Sequence, residues 1–421
     1  MAPVSRREVI IGGVAAGVGA AVSGVGAASL VDQLGAEQTQ AKLGDAARAA
    51  QTAVLDAEVP FYGRHQAGIE LELQTFTSFV AFDADSRLTL ADFERWMRLL
   101  TDDIARLQSG QPVLADAQPQ LALGPARLTV TLGLGPRLFD VLGIAQLRPA
   151  GFAQIPKQKI DKLEDRFSEG DLLLHISADD PIVLSHAQRA LVRDSLAFGT
   201  VRWAQQGFAN AQGVNPGGVR QRNLMGQVDG TDNPALGSEQ FNQVVWNDAE
   251  SVEHDWLVGG TQLVLRRIAM QLDTWDKLGR KEKEDVIGRN LSNGAPLGKV
   301  NETDIPDFGA RGENGLLHIP GFAHIRNASA RSADEIFFRR PFNYEVGVSA
   351  LGSPDVGLLW TAYARDLSKQ YLPVQERLSK VDLLNLWTTP IGSSVWLIPP
   401  GVKVEGGLLC AGLIAAAKSL G

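Results

Sequence analysis

A single cysteine, Cys410, stands in 421 residues. That excludes an intramolecular disulfide, and with it iron–sulfur clusters and cysteine-based zinc sites. Histidine is scarce too, limited to His65, His175, His186, His254, His318 and His324. No two of them stand in HExxH or another close ligand spacing. A multi-histidine zinc centre is therefore not expected, while a site that needs one axial histidine stays open. There is no GxGxxG, no P-loop and no long basic run. With a formal net charge of −8 and a pI of about 5.4, nucleic acid is not expected as a partner. After the first thirty residues no stretch stays apolar for eighteen residues, so no later membrane span is expected.

What is present reads as globular: 44% hydrophobic and 21% charged residues, in a chain long enough for two domains. "SRREVI" (5–10) sets Arg6 and Arg7 before an uncharged, glycine-diluted apolar stretch. A positive n-region, a weak h-region and small residues form a secretory signal, and the twin arginine resembles a Tat signal. Residues 1–35 are thus expected to direct export of a folded protein by the Tat machinery, to the periplasm or the outside. A polar, alanine-rich tether over 36–59 follows.

From residue 60 onward, strand-like and helix-like patterns alternate. Strands are expected within 68–83, 126–135, 170–179, 261–272 and 343–352. Helices are expected over 89–109, 181–197 and 277–289, and over 357–378 with Pro373 as a break after Tyr371. In the first helix Leu90, Phe93, Trp96, Leu99, Leu100 and Ile104 share a helical spacing, with Thr89 and Asp92 serving the N-terminal turn. The class is α+β with antiparallel sheets flanked by helices, in two similar halves, 60–215 and 216–421.

Chemistry concentrates in three places. "RNLMGQVDGTDNP" (222–234) carries Asp229 between Gly226 and Gly230, which reads as a turn or as a loop meant for close backbone approach. His324 lies among apolar neighbours in "GFAHIR", as either a core histidine or a ligand. "FFRRPFNY" (337–344) sets Arg339 and Arg340 in an aromatic strand, where a guanidinium needs an anion. For Arg340 a salt bridge to one of the chain's own acids is the preferred reading.

Taken together, these motifs resemble the dye-decolourising peroxidases, in particular their Tat-exported A-type branch. The likeness extends over "GRHQAGI" (63–69), "LGLGPRLFD" (132–140), "GDLLLHISADDP" (170–181), "VIGRNLSNGAPL" (286–297) and "IPPGV" (398–402), nearly the whole of 60–415. The resemblance implies two ferredoxin-like domains in a dimeric α+β barrel-like arrangement, with one haem b per chain held by the C-terminal half. It implies His324 as the iron ligand, with a carboxylate partner for which Glu313 is one choice. Asp229 and Arg339 become the catalytic pair acting on hydrogen peroxide, and Gly230, Thr231, Asp232, Arg331 and Arg339 join His324 in binding haem. An organic electron donor, a dye or a phenolic, would be oxidised through an oxyferryl intermediate. Tyr344, Trp387 and Trp396 could relay electrons, although a core role is the plainer reading of each. A homo-oligomer is compatible with this picture. The rival readings are a haem- or iron-handling protein of an iron-uptake system, deferrochelatase-like, and a haem-binding module without catalysis.

Overall fold

The computed structural model describes residues 56–122, 124–211, 221–348 and 352–420. The expected signal, most of the tether and the expected domain boundary near residue 215 lie outside the described residues.

Nine strands run β1 Phe76–Ala84, β2 Thr129–Leu134, β3 Leu172–Ala178, β4 Gly199–Phe208, β5 Thr261–Met270, β6 Phe338–Arg339, β7 Phe342–Val348, β8 Pro354–Ala364 and β9 Thr388–Ile398. In the first half the sheet order is β2-β3-β1-β4, all antiparallel. In the second half it is β9-β5-β8-β7, also antiparallel, and β6 continues the line of β7 along the same edge of β8. β6 and β7 are one strand interrupted at Arg340–Pro341, where proline has no N–H to give the ladder. Counted from the first strand of each half, both sheets have the order second-third-first-fourth, as ferredoxin-like units do.

The two sheets close on each other. Leu134 pairs with Leu397 across one seam and Phe208 with Asn343 across the other. At the first seam the Gln66 amide does most of the joining. Its Nε2 donates to the carbonyls of Leu132 (3.0 Å) and Pro399 (2.9 Å), and its Oε1 accepts from Leu132 N–H (2.8 Å). The barrel is filled with side chains. Phe79, Trp203, Phe342, Tyr344, Tyr363 and Trp396 pack there, with His175 hydrogen-bonded to Thr77 (3.0 Å) and Tyr363 (3.2 Å). Burial, with the Arg340 charge nearby, pushes the His175 pKa down to about 3.

Helices cover the outside. α1 (Leu90–Gln108) starts at a Thr89–Asp92 capping box, as expected, and buries Phe93, Trp96, Met97, Leu100 and Ile104. Leu99, assigned to that face from the sequence, is 37% exposed, and Met97 takes the inward position. α2 (Pro181–Ser195) begins at Asp180, whose carboxylate accepts from Ile182 and Val183 N–H. α3 is Arg280–Ile287, α4 His324–Ala328, α5 Leu372–Val381 and α6 Ala411–Lys418.

Three expectations change. Residues 357–364, expected to be helical, form the body of β8. The run "GLLWTAYA" is continuously apolar, and a strand buried on both faces produces the same pattern as a buried helix. A helical turn at Leu367–Gln370 does end at Tyr371, as expected, but the chain turns helical again at once, and Pro373 sits in the first turn of α5, where its missing N–H costs nothing. The strand expected within 68–83 begins only at Phe76, and β4 and β9 were not anticipated.

If the Gln66 amide holds the seam, Gln66→Leu keeps the volume but leaves Leu132 N–H and two carbonyls without this partner. The urea midpoint should fall by the equivalent of about 1–3 kcal/mol with an unchanged slope; an unmoved midpoint would show that the seam is held elsewhere.

Candidate active site

His324 is the first residue of α4, and its ring nitrogen Nδ1 lies 2.6 Å from Asp382 Oδ2. Asp382 follows α5. Its N–H donates to Leu378 O, and its Oδ1 accepts from Leu384 N–H at 3.0 Å, so the carboxylate is held from two sides. α5 also steadies α4 through Arg377, whose guanidinium donates to the carbonyls of Asn327 (2.7 Å) and Ser329 (3.0 Å) and pairs with Glu335. With Nδ1–H committed to a carboxylate, the neutral ring presents Nε2 as its lone-pair nitrogen. The ring is surrounded by protein, yet 29% of the side chain stays accessible. Burial alone would depress its pKa. Asp382, by charge and hydrogen bond, reverses this, and the net result lies above the ordinary histidine value. Glu313, considered from the sequence as the partner, is exposed in the turn between Arg311 and Leu317 and does not take this place.

The charges of Asp229 and Arg339 both act on the His324 ring, Asp229 raising its pKa and Arg339 lowering it. Asp229 closes a small hairpin in which Arg222 bridges Val228 and Asp229 N–H donates to Gln221 O. Gly226 turns this hairpin at φ +85°, a conformation that L side chains rarely adopt. Gly230 N–H donates to Asp229 Oδ1 at 2.8 Å, and Asn223 Nδ2 lies 3.4 Å from Oδ2. Arg222 is a staple, donating to the carbonyls of Gly226, Leu291 and Ser292.

Arg339 and Arg340 part company because β6 alternates. Arg339 pairs with Ala362 on the outer face of β8, while its neighbour Phe338 packs in the barrel. The Arg339 guanidinium donates to Thr231 O and to Asn233 Oδ1, and Asn233 Nδ2 returns a bond to Arg339 O at 2.7 Å. Arg340 is buried, donating to Leu71 O and Gln74 Oε1, and burial lowers its pKa to about 10. Among the described residues no carboxylate lies within ion-pair distance of it, so the expected salt bridge is replaced by neutral oxygens. The expectation of an acid overlooked that a strand end can offer carbonyls.

Of the other expected residues, Thr231 is buried beside Arg339, Asp232 is exposed at φ +65°, and Arg331 is exposed beyond α4, its N–H donating to Glu335. Tyr344 and Trp396 are wholly buried, and Trp387 packs edge-on against Trp275 at 5.4 Å. The sequence reading missed Asp382, Asn233, Glu302 and Arg289. Arg289 is buried, with Asp232 and Arg339 acting on it electrostatically. Asn233 and Arg289 lie within quoted motifs without being singled out there, whereas Asp382 and Glu302 lie in no such motif and meet the site only through the fold.

A single imidazole backed by a carboxylate suits an axial ligand to haem iron, and among the described residues no group of three His, Cys, Asp or Glu could hold a bare metal ion. Ala323 and Ile325, which flank His324, and Leu383, next to Asp382, belong to one apolar cluster with Met225 and Leu358, so the imidazole side of the site is apolar, as a porphyrin requires. These features fit haem.

Residues 66–209 match the N-terminal family model of the Dyp-type peroxidases and residues 220–403 the C-terminal one. The chain belongs to the Dyp-type peroxidases. It is a haem-dependent peroxidase. The chain is 42% identical to the DyP-type peroxidase from Cellulomonas bogoriensis, with a TM-score of 0.82 over 86% of this chain and 99% of that one. Against ferric DtpA from Streptomyces lividans the identity is 34% and the TM-score 0.82, with 86% and 99% covered. A curated relative, the deferrochelatase of Escherichia coli K12, is 34% identical over 360 residues, covering 82% of this chain and 84% of the relative.

The raised His324 pKa has a stability consequence for the haem-free protein. Its contribution is fully present below the unfolded value near 6.5 and is lost as pH rises through the higher folded value. In Asp382→Asn burial acts unopposed by that charge. The gap in Tm between wild type and variant should be widest near pH 5 and shrink toward about pH 9. A gap independent of pH would remove the ion pair from the account.

Proposed function

We propose that the chain is an exported peroxidase whose iron ligand is His324 and whose peroxide-handling pair is Asp229 and Arg339. The observation that carries this reading is the convergence of one carboxylate and one guanidinium on the field of an imidazole already backed by Asp382. Haem, when bound, supplies the iron that accepts peroxide and the oxidising equivalents passed to a donor. The protein's part is to hold and move protons. Asp229, whose Oδ1 accepts from Gly230 N–H and whose Oδ2 lies 3.4 Å from Asn223 Nδ2, would be the group that takes a proton from peroxide and gives it back. Arg339, anchored on Asn233 and Thr231, would stabilise negative charge developing on peroxide. His324 Nε2, made a stronger donor by Asp382, holds the metal. Gly230, Thr231 and Asp232 border the haem edge, and Arg331 or the buried Arg289 would meet a propionate.

The Arg6–Arg7 pair supports Tat export to the periplasm or the outside, and dyes, phenolics or other bulky organic donors are the proposed reductants. A second reading rests on the deferrochelatase relative: the same site would then serve haem or iron handling in iron uptake. Retention of both Asp229 and Arg339 favours catalysis over plain haem binding.

Asp229→Asn should keep haem but slow the reaction with peroxide by about 100- to 10,000-fold, followed by stopped-flow absorbance. A variant as fast as wild type would remove Asp229 from the mechanism. Metal-free porphyrin fluorescence appearing in reduced, haem-loaded protein would move the weight to the iron-handling reading.

A further inference from the structure

We propose that Glu302 is a positioning residue for the distal site, acting through Thr231 on Arg339. This rests on the assignment of Arg339 to the peroxide-handling pair. Glu302 stands 71 residues beyond Thr231, in the segment that follows α3, and its Oε1 accepts a hydrogen bond from Thr231 Oγ1 at 2.9 Å. Thr231 is 8% exposed and is bound at both ends. Its hydroxyl goes to Glu302, and its carbonyl accepts from the Arg339 guanidinium. The direction of the Thr231 carbonyl therefore sets where that guanidinium can point.

The Thr231 carbonyl lies inside a turn in which Asn233 N–H donates to Gly230 O at 3.4 Å. The next residue, Asp232, is a non-glycine in the left-handed region at φ +65°, a conformation of higher energy that the surroundings must hold. Asn233 grips Arg339 from the far side of the strained residue. Glu302 supplies the restraint on the near side.

Glu302 is itself well held. The buried Arg289 donates from Nη1 to Glu302 O (3.1 Å) and to Gly294 O (2.8 Å). Gly294, at φ +74°, lets the segment pass between Val228 and Glu302. A Cβ there would stand 3.1 Å from Val228 Cβ and 3.2 Å from Glu302 Cγ. The segment after α3 is thus seated against the residue that precedes Asp229, with the Glu302 carboxylate aimed at the residue that anchors Arg339. A hydrogen bond to a charged acceptor in such a setting contributes on the order of a 10- to 100-fold effect when broken.

The test uses haem-loaded full-length protein and two readouts, the second-order rate with hydrogen peroxide and the Kd of the ferric form for cyanide by optical titration. Glu302→Ala should slow the peroxide step by roughly 10- to 100-fold and weaken cyanide binding by a similar factor, with haem content and Tm close to wild type. Glu302→Gln, which keeps an acceptor oxygen for the Thr231 hydroxyl, should recover most of both. Thr231→Val should reproduce the alanine defect, and combining it with Glu302→Ala should add little, since both break one interaction. Equal rates and affinities in wild type and Glu302→Ala would overturn the proposal. So would a defect that follows loss of haem and of Tm and that glutamine does not repair, because that marks a structural brace. A wild-type holoprotein inert to peroxide would overturn the peroxidase assignment of Arg339, while the cyanide titrations would still decide whether Glu302 positions the site.

Discussion

Alternation of side chains across a closed sheet is the constraint on which this molecule depends. Each sheet has an inner face that must be filled and an outer face that helices and loops must cover. The inner face is occupied by aromatic rings, with His175 held uncharged among them at ordinary pH. The candidate site's Arg339 lies on the outer face of the second sheet, opposite Ala362. The alternation also sends two adjacent arginines to opposite faces. Arg340 turns into the barrel and meets a carbonyl and an amide, while Arg339 turns outward and meets the loop that carries Asp229.

A second dependence runs through ends of elements. His324 opens a five-residue helix, Asp382 follows the last turn of α5, Asp229 ends a hairpin, and Arg339 ends a two-residue strand. Each functional group thus sits where the backbone leaves a regular element, and each is fastened there by a second contact. Asp382 is fixed by Leu384 N–H, Asp229 by Gly230 N–H, and Arg339 by Thr231 and Asn233. Preorganisation of this kind keeps charged groups aimed at a reacting atom without reorganisation during the reaction. The Asp382 contact further determines which imidazole nitrogen remains available.

Much of this was legible from local pattern. Thr89 and Asp92 announced α1, because a capping box is a relation between residues three apart. Asp180 and Pro181 mark the start of α2 in the same way. "GLLWTAYA" misled, because a strand buried on both faces loses the alternation that identifies it. Leu99 misled by one position on the helical wheel, where Met97 was equally apolar.

By itself the sequence determined the class, the absence of covalent and multi-histidine metal staples, and the short motifs around Asp229, His324 and the arginine pair. These are properties of composition and of neighbours within a few residues. Tertiary structure alone decided the carboxylate behind His324, since Asp382 lies 58 residues away and reaches it only because α5 packs on α4. It alone decided the different partners of Arg339 and Arg340, which a two-residue strand cannot display in its sequence. It also brought Glu302 to Thr231 and Asn233 to Arg339 across 71 and 106 residues. Contacts of that range depend on how elements dock, and docking is set by the summed burial of many side chains rather than by any motif.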